Sequence, residues 1–138
     1  MGDFTAGLFE AKDHGFETVI LADRDGNITE GPGFNVFALK GKTVVTPDAG
    51  VLHGITRRTA LELCQAAGLA TAERNLPIDE LMQADEVFLS SSGGGIMPVS
   101  QIGERVFSNG RAGPVASRLR RDYFALLQDP NYRTPVSY

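Results

Sequence analysis

Apolar residues recur along the chain with two periods, and those periods predict the elements. Phe4, Leu8 and Ala11 share one face at helical spacing, which predicts a first helix over residues 4–12, closed near Gly15. The run Thr18-Val19-Ile20-Leu21-Ala22 is β-branched and apolar throughout and predicts a buried strand. Asp23-Arg24-Asp25-Gly26-Asn27 carries the residues of a hairpin turn. A second strand, running through Val36-Phe37-Ala38-Leu39, is therefore expected to fold back on the first. After a further turn at Lys40-Gly41-Lys42, Thr43-Val44-Val45-Thr46 pairs back again. The expected arrangement is an antiparallel meander.

Beyond Thr46 the pattern changes. Residues 47–53 read as a loop and Thr56 opens a helix in which Ala60, Leu63 and Ala67 recur on one face, with Gly68 at its end. Residues 85–90 read as a strand, Ser91-Ser92-Gly93-Gly94-Gly95 as a loop, and Ile96-Met97-Pro98-Val99 as an extended return. A last helix starts near Pro114, a favoured first-turn residue, with Val115, Leu119, Tyr123 and Leu126 as its apolar stripe. Residues 129–138 read as irregular. With no internal repeat and no linker, residues 1–138 are expected to form one domain of class α/β (α+β), an antiparallel meander plus helices.

Composition narrows the function classes. A chain of 138 residues with 42% hydrophobic and 22% charged content matches a globular protein with a core of its own. The net charge of -4 argues against a nucleic-acid binder, and the cluster Arg118, Arg120, Arg121 reads as a solvated helix face. Cys64 is the only cysteine, which excludes an internal disulfide; in an apolar helix it reads as a buried structural thiol. No secretory signal and no membrane-length apolar run is visible, so a cytoplasmic location is expected.

Several motifs fail on their spacing. Asp23-Arg24-Asp25-Gly26-Asn27 starts like a calcium loop, but the glycine is displaced and Phe34 stands where the last acid belongs. Gly31-Pro32-Gly33 lacks the third glycine of a dinucleotide fingerprint, and residues 90–95 lack the Gly-Lys-Ser/Thr ending of a phosphate loop. His14 and His53 have no partners at metal-ligand spacing, so no metal site is expected.

Three features survive. Leu52-His53-Gly54-Ile55-Thr56 leads into a helix, whose unpaired N–H groups and dipole attract a phosphate. Plain capping by Thr56, or by Thr59 with Glu62 one turn later, is favoured on spacing alone. Ser91 to Gly95 offers hydroxyls and bare amides to a phosphate or carboxylate; a flexible connector explains it equally well. Glu30, in Thr29-Glu30-Gly31-Pro32-Gly33-Phe34-Asn35, is either a surface acid at a strand end or an embedded carboxylate that needs a positive partner. Taken together, the three suit a cofactor with a basic ring at one end and a phosphate at the other.

The ordered blocks Thr29 to Phe37, Gly54-Ile55-Thr56-Arg57, Ala84 to Phe88 and Gly94-Gly95-Ile96-Met97-Pro98-Val99 resemble the class IV (fold type IV) pyridoxal-phosphate aminotransferases. The likeness continues through Gly113-Pro114-Val115 into Asp122-Tyr123-Phe124 and is nearest to the (R)-selective amine transaminases, then to branched-chain aminotransferases. It implies pyridoxal 5'-phosphate as cofactor, with Glu30 at the ring nitrogen and Leu52 on one ring face. Gly54, Ile55, Thr56, Ser91 and Ser92 would surround the phosphate, and Gly93 and Gly94 would border the substrate. The implied reaction moves an amino group between an amine or amino acid and a 2-oxo acid.

The resemblance covers only the C-terminal part of the family's large domain. The family's cofactor-bearing lysine falls just upstream of Met1 in that comparison, and Lys12, Lys40 and Lys42 do not match it. With the small N-terminal domain also outside the match, the chain alone is expected to be inactive. A homodimer, or a partner covering the missing half, is expected. The alternatives are a non-catalytic binding or assembly module on this half-fold and a lyase of the aminodeoxychorismate lyase type.

Overall fold

The computed structural model describes residues 6–11, 16–21, 26–28, 34–48, 55–91, 95–102, 105–107 and 113–128. Its strands are β1 (Ala6–Ala11), β2 (Phe16–Leu21), β3 (Asn35–Lys40), β4 (Thr43–Thr46), β5 (Ala70–Glu73), β6 (Glu86–Ser91), β7 (Gly95–Val99), β8 (Gln101–Ile102) and β9 (Arg105–Val106). Three helices accompany them: α1 (Ile55–Ala66), α2 (Ile78–Met82) and α3 (Pro114–Leu127). The fold class is α/β, as the sequence implies.

Five strands form the sheet that organises the molecule, in the order β5-β4-β3-β6-β7. β3 joins β4 through the turn at Gly41, whose positive φ of 62° suits a residue without a side chain. β3 also pairs antiparallel with β6, Asn35 opposite Ser90 and Leu39 opposite Glu86, and β6 pairs antiparallel with β7. α1 then carries the chain across to β5, which lies parallel to β4.

Both faces of this sheet are covered, which is why β3, β6 and β7 are buried almost without interruption. One face packs Val36, Ala38, Val87, Leu89 and Met97 against Ile28, Phe34, Leu76, Leu81 and Phe107. The other packs Phe37, Leu39, Val44, Phe88 and Ile96 against Ala60, Leu61 and Cys64 of α1 and Ala116, Leu119 and Tyr123 of α3. Phe37 and Phe88 stack across the β3–β6 pair, 4.9 Å between centroids and 5° from parallel. Burial drives the pKa of the Cys64 thiol up to about 12, consistent with the structural reading of that residue.

Three expectations are corrected. The segment read as a first helix is β1, paired along its length with β2 from Ala6–Leu21 to Ala11–Phe16. Consequently β2 does not pair with β3: it is the edge of a separate four-stranded sheet ordered β2-β1-β8-β9. Of the expected meander only the β3–β4 hairpin remains, and β6 and β7 pair antiparallel in the same sheet. α1 begins at Ile55, so Thr59 is a buried residue of its second turn and not a capping residue.

The last helix begins at Pro114, as its sequence predicts, with Gly113 in the extended N-cap position. Its first amides are met by Glu86, a buried carboxylate on β6: Ala116 N–H donates to Oε1 at 2.9 Å and Val115 N–H to Oε2 at 3.1 Å. A Cβ on Gly113 would collide with that carboxylate, so a side chain there requires Glu86 to shift. Among the described residues, no helix is long and apolar enough to cross a membrane.

Candidate functional site

The register of the five-stranded sheet brings the sequence blocks together. β3 starts at Asn35, opposite Ser90 near the end of β6, and Ser91 at that end faces Gly95 at the start of β7. β4 runs back from Thr43, opposite Lys40, so its end at Thr46 lies at this same edge, as does Glu73 of β5. The strand ends that bound residues 29–33, 49–54 and 92–94 therefore all lie along one edge of the sheet. The turn at Lys40-Gly41-Lys42 lies at the opposite edge, where Lys40 pairs with Asp85 at 3.5 Å.

Of the residues singled out from the sequence, Ile55, Thr56 and Ser91 are described. Glu30, Leu52, Gly54, Ser92, Gly93 and Gly94 lie outside the described residues, as do His14 and His53. The chain on either side of Glu30 is nevertheless fixed. Ile28 and Phe34 are both buried in one core cluster, and Ile28 N–H donates to Leu76 O at 2.7 Å. Ile55 is 83% exposed at the start of α1, Thr56 is half-buried, and Ser91 is half-buried at the end of β6.

The first turn of α1 has an unusual charge pattern. Ile55-Thr56-Arg57-Arg58 contains two arginines and no acid. Cations at this end oppose the helix dipole and favour an added anion. Arg58 turns outward to Glu62 at 3.7 Å, whereas Arg57 is 3% exposed. Its Nη1 donates to Glu73 Oε1 at 2.9 Å and its Nη2 to Pro47 O at 3.1 Å.

Ser90 supplies the second indication. It is 1% exposed, and among the described residues its hydroxyl has no hydrogen-bond partner. Strand alternation puts it on the Phe88 face, the face covered by α1 and α3. A buried hydroxyl left alone costs roughly 1–3 kcal/mol, so a polar occupant suits this edge. Gly95 opens β7 with a positive φ of 68°, and a Cβ there would lie 2.6 Å from Tyr123 Cε2. Tyr123 thus closes against a residue that must remain glycine where the 92–94 segment rejoins the sheet.

Sequence reasoning missed the roles of Ser90 and Arg57. Arg57 did carry a signal: an arginine in a first turn without acids runs against helix preference. Among the described residues, no group of three or more His, Cys, Asp or Glu side chains could hold a metal ion.

Comparison with known proteins agrees with this arrangement. A family model described as amino-transferase class IV matches residues 1–102. The branched-chain-amino-acid aminotransferase of Escherichia coli (strain K12) is 36% identical over 131 residues, covering 91% of this chain and 42% of that protein. A crystal structure of the E. coli branched-chain amino acid aminotransferase superposes with a TM-score of 0.76 and 35% identity, over 83% of this chain and 38% of the other. A T.th. branched-chain amino acid aminotransferase, complexed with N-(5'-phosphopyridoxyl)-L-glutamate, gives a TM-score of 0.78 and 32% identity over 88% of this chain and 43% of its own. The chain belongs to the class IV aminotransferases. It spans about two-fifths of the length of these relatives.

Proposed function

We propose that these 138 residues form the part of an aminotransferase large domain that holds pyridoxal 5'-phosphate by its phosphate and ring nitrogen. The observation that carries this reading is that the strand ends bounding three sequence blocks lie along one sheet edge, beside a helix whose first turn has two arginines and no acid. The residues present fit the group. The N–H groups of Ile55 and Thr56 and the Thr56 hydroxyl would bind the phosphate with Gly54, Ser91 and Ser92, and the unpartnered Ser90 hydroxyl marks the edge as polar. Glu30 would hold the proton on the ring nitrogen, Leu52 would pack on the ring face, and Gly93 and Gly94 would present backbone amides to a substrate carboxylate. When bound, the cofactor supplies an electron-withdrawing ring that stabilises negative charge at the substrate's Cα.

The relatives named above favour amino-group transfer between branched-chain amino acids and 2-oxo acids over the amine substrates that head the sequence-based ordering. The (R)-selective amine and lyase readings become substrate panels within the same site. Lys40 and Lys42 flank the opposite sheet edge, so neither described lysine stands where it could carry the cofactor. We therefore propose that a lysine outside these residues completes the enzyme, in a homodimer or with a partner region.

The test is reconstitution of the chain with pyridoxal 5'-phosphate, followed by borohydride reduction, peptide mapping and a transamination assay on branched-chain amino acids. The expected result is reversible binding that depends on the phosphate, without a lysine adduct and without turnover. A borohydride-trapped adduct with efficient turnover would overturn the incompleteness, and failure to bind the cofactor would overturn the site.

A further inference from the structure

We infer that Arg57 is a positioning residue: its guanidinium clamps the first turn of α1 to the sheet edge and so fixes the amides that face the phosphate. The inference rests on the cofactor reading above and adds a role to a residue that touches neither ring nor phosphate in that reading.

The geometry carries it. Arg57 is the one fully buried side chain of the first turn, in which Ile55 is 83% exposed and Arg58 points to Glu62. Its two hydrogen bonds reach the ends of two different strands. Glu73 ends β5, and Pro47 follows the last residue of β4. The bond to Pro47 therefore ties the first turn of α1 to the residue that follows β4. Further along, Ala60, Leu61 and Cys64 already seat the helix on the sheet, so Arg57 is not needed to hold the body of α1. What it determines is where the helix begins.

Stability does not explain the residue. Arginine in the first turn opposes the helix dipole. Its Nε is buried with no hydrogen-bond partner among the described residues. A buried guanidinium with an unused donor, paired with a half-exposed carboxylate, is a poor stabiliser compared with an apolar side chain of similar volume. The planar fork, by contrast, places two donors at fixed angles, which a lysine ammonium cannot reproduce. Arg57 therefore contributes geometry at the cost of some stability.

Four versions of the full chain test this: the parent, Arg57→Met, Arg57→Lys and Glu73→Gln. Each is titrated with pyridoxal 5'-phosphate and with unphosphorylated pyridoxal, and hydrogen exchange is followed across residues 55–58 and across β6. The parent is expected to prefer the phosphorylated ligand. Arg57→Met is expected to lose about tenfold in affinity for it while pyridoxal binding changes less than about twofold. Arg57→Lys is expected to restore only part of that loss, and exchange is expected to quicken at residues 55–58 with β6 unchanged.

Glu73 is half-exposed, so Glu73→Gln is expected to fold and to show a smaller loss of the same kind, and it carries the test if Arg57→Met does not fold. Unchanged affinity for the phosphorylated ligand in either folded variant overturns the inference. So does an equal loss of both ligands with uniformly faster exchange, which marks a purely structural role. A parent chain with no preference for the phosphorylated ligand overturns the cofactor reading itself, and the clamp's role with it.

Discussion

The two long helices begin at opposite edges of the same sheet and treat their N-termini in opposite ways. α3 begins against Glu86, whose two carboxylate oxygens accept from Ala116 and Val115, so the protein supplies its own anion there. α1 begins with two arginines and no acid, its first residue exposed and its Arg57 fork turned toward the β4 and β5 ends. The backbone chemistry of the two ends is the same. The difference lies in who provides the negative charge. In the proposed reading, the α3 N-terminus is met from within by Glu86, whereas the α1 N-terminus is met by the phosphate of a bound cofactor.

The strongest way to break the comparison is to empty the filled end. Glu86→Ala leaves two amides without acceptors, one of them fully buried, and should cost about 3 kcal/mol by thermal or urea unfolding. Formate, which is small enough to replace the carboxylate, should recover part of that stability in the variant and do nothing for the parent. Gly113→Ala attacks the same contact from the other side. Its methyl group would displace Glu86 Oε1, and the expected loss is about 2 kcal/mol on the same measurement.

The open end should respond in ligand affinity more than in folding. Thr56→Val keeps the shape of the half-buried side chain and removes its hydroxyl, and should weaken pyridoxal 5'-phosphate binding about tenfold, or about 1.4 kcal/mol, with little change in melting temperature. The smallest effect belongs to Asp85, beside the turn at the far edge. The Gly41 N–H, then Lys40, lowers its carboxyl below the usual range. A depressed carboxyl contributes stability above its unfolded value of about 4 and loses it as pH falls through the folded value. Because the group is exposed, Asp85→Asn should cost only a few tenths of a kcal/mol at about pH 7, shrinking toward zero in acid.

Much of the five-stranded sheet was legible because β3, β4 and β6 are continuous apolar runs with clear turn residues at their ends. β1 was misread for a definable reason. An interval of four residues, as between Phe4 and Leu8, returns to the same face in a strand as it does in a helix. What makes the segment a strand is its pairing with β2, which no local period records. The turn residues before Asn27 were recognisable, and Gly26 does have a positive φ of 80°, but turn chemistry does not name a sheet partner. β5, Ala-Thr-Ala-Glu, lacks a β-branched run and exists through its parallel pairing with β4. At the site, Thr56 and Ser91 were picked out in the sequence, and the fold brings their elements to one end of the sheet. Arg57 was visible as a letter in a motif, but its burial and its two partners depend on strands that meet only in the fold.

The sheet that separates the two edges is also an electrical spacer. Six residues of β3 span roughly 20 Å between Asn35 and the Lys40 turn. Ionic screening at physiological salt acts over about 8 Å, so the far edge lies more than two such lengths from the site. Charges around Lys40, Lys42 and Asp85 can accordingly be redrawn, for solubility or for attachment to a surface, with little effect expected at the proposed phosphate end.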